Sequence, residues 1–255
     1  MIDDPWFYVI AVPVIVLVGV SKGGFAGGLA VLGVPLLSFV VSPATAAAVL
    51  LPILVAMDVF AVAGYRKRFD PGNLRVIMPA ALLGVAAGYF SYELLSEDHI
   101  KLLVGVVSLI FAVNWFRHRW LGRAVPARKP GTLRGSFFGA LAGFTSFSVH
   151  AGGPPIDMYL LPQKMNKTVL VGTTVIFFAF VNFIKLVPYG ALGLLSADNL
   201  RTSLALIWLA PVGIRLGMYL HKRISENGFY LFCYGLLFLT GLKLSVEGLA
   251  GVIQG

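Results

Sequence analysis

The sequence predicts an all-α polytopic membrane protein of two inverted repeats, each a broken-helix hairpin followed by three transmembrane helices. Three observations carry that expectation: an apolar composition, six long apolar runs, and two glycine-rich interruptions that each precede three of those runs. Of 255 residues, 58% are hydrophobic and 12% charged, where soluble domains hold roughly half and about 25%. A soluble surface needs charge to cover it, and lipid does not.

The first region, residues 5–41, is apolar but broken by "GVSKGGFAGG" (Gly19 to Gly28). It opens with "MIDDPW" rather than a basic segment, and no small-residue cleavage site follows, so it does not read as a signal peptide. Runs at 44–65, 74–92 and 99–116 follow and complete a first repeat, 1–120. A basic linker, 121–132, leads to a second broken region, 133–162, interrupted by "SFSVHAGGPP" (Ser146 to Pro155). Runs at 168–188, 199–220 and 228–246 complete the second repeat, 133–255. Each unbroken run is long enough, or nearly so, to cross about 30 Å of hydrocarbon as a helix. The pieces of the broken regions, about 11 to 18 residues each, suit half helices or short tilted crossings.

Local matches support duplication. "NLR" at Asn73 to Arg75 recurs at Asn199 to Arg201, "GVAAG" at Gly84 to Gly88 corresponds to "GIRLG" at Gly213 to Gly217, and "SED" at Ser96 to Asp98 corresponds to "SEN" at Ser225 to Asn227. Their order is kept, beside two matching breaks. Basic residues then set orientation. If each broken region dips and returns, or crosses twice, Arg66, Lys67, Arg68, Arg75, Arg117, Arg119, Arg123, Arg128, Lys129, Arg134, Lys164, Lys167, Lys222 and Arg223 share one side. Only Lys101 and Arg201 lie opposite. This positive-inside signal is stronger than that of a single crossing per region, and it places both termini outside and makes the repeats inverted. Re-entrant hairpins and paired short crossings fit it equally.

The net charge of +9 collects in these loops, so it does not point to nucleic acid. The lone Cys233 excludes an intrachain disulfide framework.

A break inside hydrocarbon frees backbone groups that must face protein, water or solute. Amides at the start of a half helix attract anions. Helix starts are expected from Gly24 in the first repeat and from Pro154 or Pro155 in the second, converging near the midplane as a cradle for a small anion. The amides of Gly23, Gly24, Gly152 and Gly153 are the candidate donors. Lys22 adds a full charge, either as an anion ligand or snorkelling to an interface. Ser21 offers a hydroxyl, though serine is also an ordinary break residue. His150 can donate to an oxyanion or change charge with pH; its structural alternative is a neutral ring bonded to helix backbone. Of Ser146 and Ser148, the latter is the candidate, being closer to the break.

Asp58 and Asn182 interrupt apolar runs at comparable points of the two repeats, and Lys185 shares the face of Asn182. Asp157 follows the second break, and Arg215 lies within "APVGIRLGMYL". Asp58 or Asp157 pairing with Lys185 or Arg215 would serve gating, coupling or structure alone. Lys243 and Glu247 look interfacial. The small-xxx-small spacings Gly84 to Gly88 and Gly213 to Gly217 read as close helix packing, and Trp6, Phe7, Tyr8, Trp115, Trp120 and Tyr189 fit interface anchoring.

With these segments in view the chain resembles the TauE/SafE family of permeases, through "GVSKGGFAGG" with Gly33 to Pro35 and through "AGGPPIDMYLLPQKMNKTVLVGTTVIFFAFVNFIKL" from Ala151 to Leu186. The resemblance rests on glycines and prolines; Lys22 and His150 enter from their own chemistry. It implies an inner-membrane permease exporting sulfite or an organosulfonate such as sulfoacetate. Its partners are then a small inorganic or organic anion, membrane lipid and, for coupling, protons. The expected mechanism is alternating access. A small-anion channel is the alternative, with a membrane scaffold or intramembrane enzyme behind it. No P-loop, metal pattern or nucleophile elbow appears, so no enzyme activity, cofactor or metal is expected.

Overall fold

Several helices begin where a short polar side chain caps them. In the computed structural model, which describes residues 1–27, 30–92, 97–121 and 127–254, α1 (Pro5–Gly24) starts after Asp4, whose carboxylate accepts from the Trp6 amide at 2.9 Å. Gly28, Ser96 and Arg123 lie outside the described residues. A 3₁₀ turn, Ala30–Leu32, and the short α2 (Gly33–Leu37) follow. Ser42 caps α3 (Pro43–Tyr65) and Asp70 caps α4 (Pro71–Phe90), each with proline in the first turn. Then comes α5 (Glu97–Trp120).

The second half holds α6 (Thr132–Val149), α7 (Gly153–Leu160), α8 (Lys167–Ala191), α9 (Ala197–Leu206), α10 (Leu209–Arg223) and α11 (Glu226–Gln254). Among the described residues all regular structure is helical. Among the described residues six helices are long and apolar enough to cross a membrane, and there are seven if α9 and α10, bent by 46° between them, count as one span. Phe39, Leu83, Phe90, Ile110 and Val187 are exposed around the bundle. Apolar side chains in such positions belong in lipid, and the chain is a multi-pass membrane protein.

Two expectations need correcting. The region 5–41 does not hold only sub-span pieces: α1 is 20 residues long and of spanning length. The run 199–220 is not one straight helix but the bent pair α9–α10.

Packing exchanges elements between the halves. α1 lies against α10, α6 against α4, α5 against α11, and α3 against α8. Glycines permit the closest of these approaches. A β-carbon at Gly19 would stand 2.8 Å from Cα of Gly213, and one at Gly84 would overlap the Ala140 carbonyl. The small-xxx-small stretches thus sit at helix crossings, where backbone meets backbone. Trp6 and Trp120 are exposed, as anchors should be, whereas Phe7, Trp115 and Tyr189 are buried. Trp115 stacks on Tyr234 at 4.2 Å rather than facing an interface.

Candidate functional site

Helix α1 carries Lys22 in its last turn and ends at Gly24. This corrects the expected helix start at Gly24. The amides of Gly23 and Gly24 lie inside a helix and are bonded there, and the end facing the break is carbonyl-rich. The chain leaves through Ala26 and Gly27 at φ 56° and 82°, with the Phe25 and Gly27 amides both donating to the Ser21 carbonyl. A β-carbon at Gly23 would lie 2.5 Å from the Ile214 carbonyl oxygen, so that glycine serves the α1–α10 contact.

The second break does begin a helix. Gly152 is the N-cap of α7, and Pro154 and Pro155 occupy its first turn. Proline has no N–H, so of the donors a helix start normally offers, these two are missing; the amides of Gly152 and Gly153 remain, and of these two residues Gly153 lines the cavity. Before it, α6 ends at Val149 and His150 turns the chain in a left-handed conformation, φ 53°.

Between the breaks lies a cavity of about 40 Å³, lined by Lys22, Gly27, Ser146, His150, Gly153 and Asn182 among apolar neighbours including Phe178. Lys22, 5% exposed, pairs with Asp58 on α3 at 2.6 Å. The amide of Asn182, on α8, donates to the other oxygen of the same carboxylate at 2.8 Å. Lys185, fully buried, donates to the Ser146 carbonyl at 2.7 Å and reaches Ser146 Oγ at 3.3 Å and His150 Nδ1 at 2.7 Å. His150 Nε2 lies 3.3 Å from the Ala47 carbonyl oxygen. In one neutral tautomer Nε2–H donates to Ala47 and Nδ1 accepts from Lys185; the 3.1 Å approach of Nδ1 to the Ser146 carbonyl is then not a hydrogen bond.

The structure therefore brings Lys22, Asp58, Asn182, Lys185, His150 and Gly153 together, with Ser21 buried beside Lys22 in sequence. It keeps three candidates apart from them. Ser148 bonds back to the Phe144 carbonyl and lines a different pocket; Ser146, four residues before His150 and on its helical face, takes the place expected of it. Asp157 is buried on α7 with one carboxylate oxygen lacking a partner, and its electrostatic neighbours are Cys233 and Tyr234 of α11 rather than a lysine. Arg215 is exposed on α10 and forms no ion pair with Asp58 or Asp157 among the described residues. The expected pairing of the aspartates with Lys185 or Arg215 is replaced by Lys22–Asp58.

Outside the cavity lining, a tyrosine bonds to the last turn of the helix before each break. Tyr65 donates to the Gly23 carbonyl at 2.7 Å, and His221 Nδ1 lies 2.9 Å from the Gly24 carbonyl oxygen; both residues line a pocket of about 590 Å³. Tyr189 donates to the Phe147 carbonyl at 3.2 Å and stacks on His150 with ring centroids 6.0 Å apart. It lines, with Ala47 and Ser148, a pocket of about 280 Å³. Sequence reading took Tyr189 for an anchor and passed over Tyr65 and His221.

A family model described as sulfite exporter TauE/SafE matches residues 11–244. No curated protein and no solved structure matches the chain. The match spans both breaks and the long helices between them, and members of that family are membrane transporters rather than enzymes. With the match covering well over half its length, the chain belongs to the TauE/SafE sulfite exporter family.

Proposed function

We propose that the chain is a secondary transporter exporting a small sulfur oxyanion of the sulfite type by alternating access, with the anion held at the central cavity. The carrying observation is a charge imbalance. Lys22 and Lys185 are buried near one carboxylate, Asp58, and that carboxylate is already paired with Lys22. With both lysines as ammonium groups the cluster holds one uncompensated positive charge, and buried ionisable groups inside a membrane protein usually mark a pathway. An anion in the cavity would neutralise it, met by Lys22, the Gly153 amide and Ser146, with His150 relaying the influence of Lys185.

The bland account is that both lysines only neutralise helix C-terminal carbonyls. It explains the Lys185 bond to Ser146 but not the cavity beside it. A volume of about 40 Å³ has room for about three waters, which suits sulfite better than the larger sulfoacetate. Tyr65, bonded to Gly23, and Tyr189, bonded to Phe147, line two separate pockets rather than one continuous passage, and this supports an alternating site over an open channel.

In this reading the halves are inverted repeats about the α3–α8 contact, which the exchange of α1 onto α10 and α6 onto α4 supports. The basic loops face the cytoplasm across an inner membrane, with both termini outside. The N-terminal amine, 2.6 Å from Asp198, ties the start of the chain to the side that carries Arg201.

The test is uptake of radiolabelled sulfite and, separately, sulfoacetate into proteoliposomes, with native protein and Lys22→Gln at matched reconstitution and with an imposed pH gradient. Saturable sulfite flux, at least tenfold lower in the variant, is expected. A response to the gradient assigns proton coupling, with His150 and Asp157 the groups to substitute next. Sulfite flux unchanged in Lys22→Gln would remove the site, and no flux of either anion would remove the substrate class.

A further inference from the structure

The pocket of about 590 Å³ beyond Tyr65 and His221 is far larger than the central cavity and has a different chemistry. It is built where three helices end: the last turn of α3 and the residues after it, the first turn of α8, and the last turn of α10. Arg66, Lys67, Arg68 and Lys222 line it with exposed side chains, and Lys167 stands at its edge with its ammonium engaged by the His221 and Ile224 carbonyls. Among the described residues no carboxylate lines the pocket, and none of those four side chains has an ion-pair partner. Loop charges of this kind are usually separately solvated; here they converge on one concavity, within the roughly 300–1,000 Å³ range of ligand pockets.

From this geometry we infer a binding site for a phosphate-bearing group, and its position favours the headgroup of an anionic phospholipid. Helix ends at the membrane surface put the cations at headgroup level, where basic pockets between transmembrane helices collect acidic lipids. Further along α3 toward the membrane interior, Ala63 and Gly64 line the pocket, and one turn deeper Val59 and Phe60 are 64% and 42% exposed. The wall below the charges is thus an apolar strip on which acyl chains can lie, a feature free phosphate has no use for. Tyr65 and His221 form the floor, and through their contacts to the Gly23 and Gly24 carbonyls the pocket adjoins the break that carries Lys22.

The experiment titrates the full-length protein in uncharged detergent with phosphatidylglycerol, with phosphatidylcholine of the same chain length and with inorganic phosphate, reading bound lipid by native mass spectrometry. Native protein is compared with Arg66→Gln/Arg68→Gln/Lys222→Gln, and with Lys222→Gln alone in case the triple variant fails to fold. Each cation near a membrane surface contributes about a kilocalorie per mole, so phosphatidylglycerol should bind the triple variant on the order of a hundredfold more weakly and the single variant about fivefold more weakly. Phosphatidylcholine should show no comparable loss. Displacement of phosphatidylglycerol by millimolar phosphate would assign the same site to a soluble phosphate compound. Equal binding of the two lipids, or unchanged binding in a folded variant, overturns the proposal.

Discussion

At the first break α1 ends on Ser21 to Gly24 and the chain turns through Ala26 and Gly27; at the second α6 ends on Thr145 to Val149 and the chain turns through His150. The backbone bonds match. The Gly27 amide returns to the Ser21 carbonyl at 3.1 Å, and the Ala151 amide to the Thr145 carbonyl at 3.0 Å. In each half a tyrosine of the following long helix donates to a carbonyl of the last turn, Tyr65 to Gly23 and Tyr189 to Phe147. The charges do not match. The first break bears its own lysine, which finds a carboxylate across the α3 interface. The second bears serine and histidine and takes its lysine from α8, where the partners are neutral. One backbone device is thus built twice with different partners: the first copy holds a lysine–carboxylate pair, and the second holds a lysine among neutral acceptors.

The sharpest way to break this comparison is to remove one charge from each side. Asp58→Ala leaves the Lys22 ammonium buried without its carboxylate and should destabilise the protein by about 3–5 kcal/mol. Lys185→Met removes a cation that has no carboxylate, leaving only neutral acceptors unsatisfied, and should cost about 1–3 kcal/mol while lowering sulfite flux at least tenfold. Thermal melting in detergent, alongside proteoliposome flux, checks both. Equal destabilisation would mean that the two lysines are held alike.

A smaller effect separates the two tyrosines. Tyr65→Phe and Tyr189→Phe each delete one hydroxyl donor, worth about 0.5–1.5 kcal/mol. They should open the cavity to opposite sides. With Ser146→Cys as reporter in a Cys233→Ser background, Tyr65→Phe should speed labelling by a membrane-impermeant thiol reagent from the side of the basic loops, and Tyr189→Phe from the other side. Faster labelling from the same side in both would undo the pairing of latches. The smallest effect belongs to Arg215→Gln, expected within about 0.5 kcal/mol of native stability and at native flux, because its side chain is exposed. A large loss on either measure would return Arg215 to the charged cluster.

Much of the fold was legible because its signals are local. Asp4, Ser42 and Asp70, each followed by proline, announce helix starts that need no partner to be read. Glycine is less informative, since it marks both a turn and a close approach. Gly24 was read as the first kind, a helix start, but it ends α1, and a β-carbon there would overlap the Gly217 carbonyl of α10. Lys22 and Asp58 could be named as buried and ionisable, yet their pairing depends on how α1 meets α3 and is not encoded in spacing. Ser146 was readable: it stands one helical turn before His150, and proximity to the break was the wrong criterion. Tyr189 follows the interface-anchor pattern by composition and departs from it because α8 turns it inward onto His150.

The seating of α1 against α10 bears on how the chain is made. Gly19 and Gly23 fit a groove formed by Gly213, Ile214 and Gly217, which are synthesised long after α1 has left the ribosome. At about 5–20 residues per second, the first helix waits roughly ten to forty seconds in the membrane before its partner exists. During that interval Lys22 has its partner Asp58, which emerges soon after it, but the glycine face of α1 stays open to lipid or to other helices. Closure of the first helix onto α10 is therefore a late step of assembly, and a chain truncated before Leu209 would leave that face without its native partner.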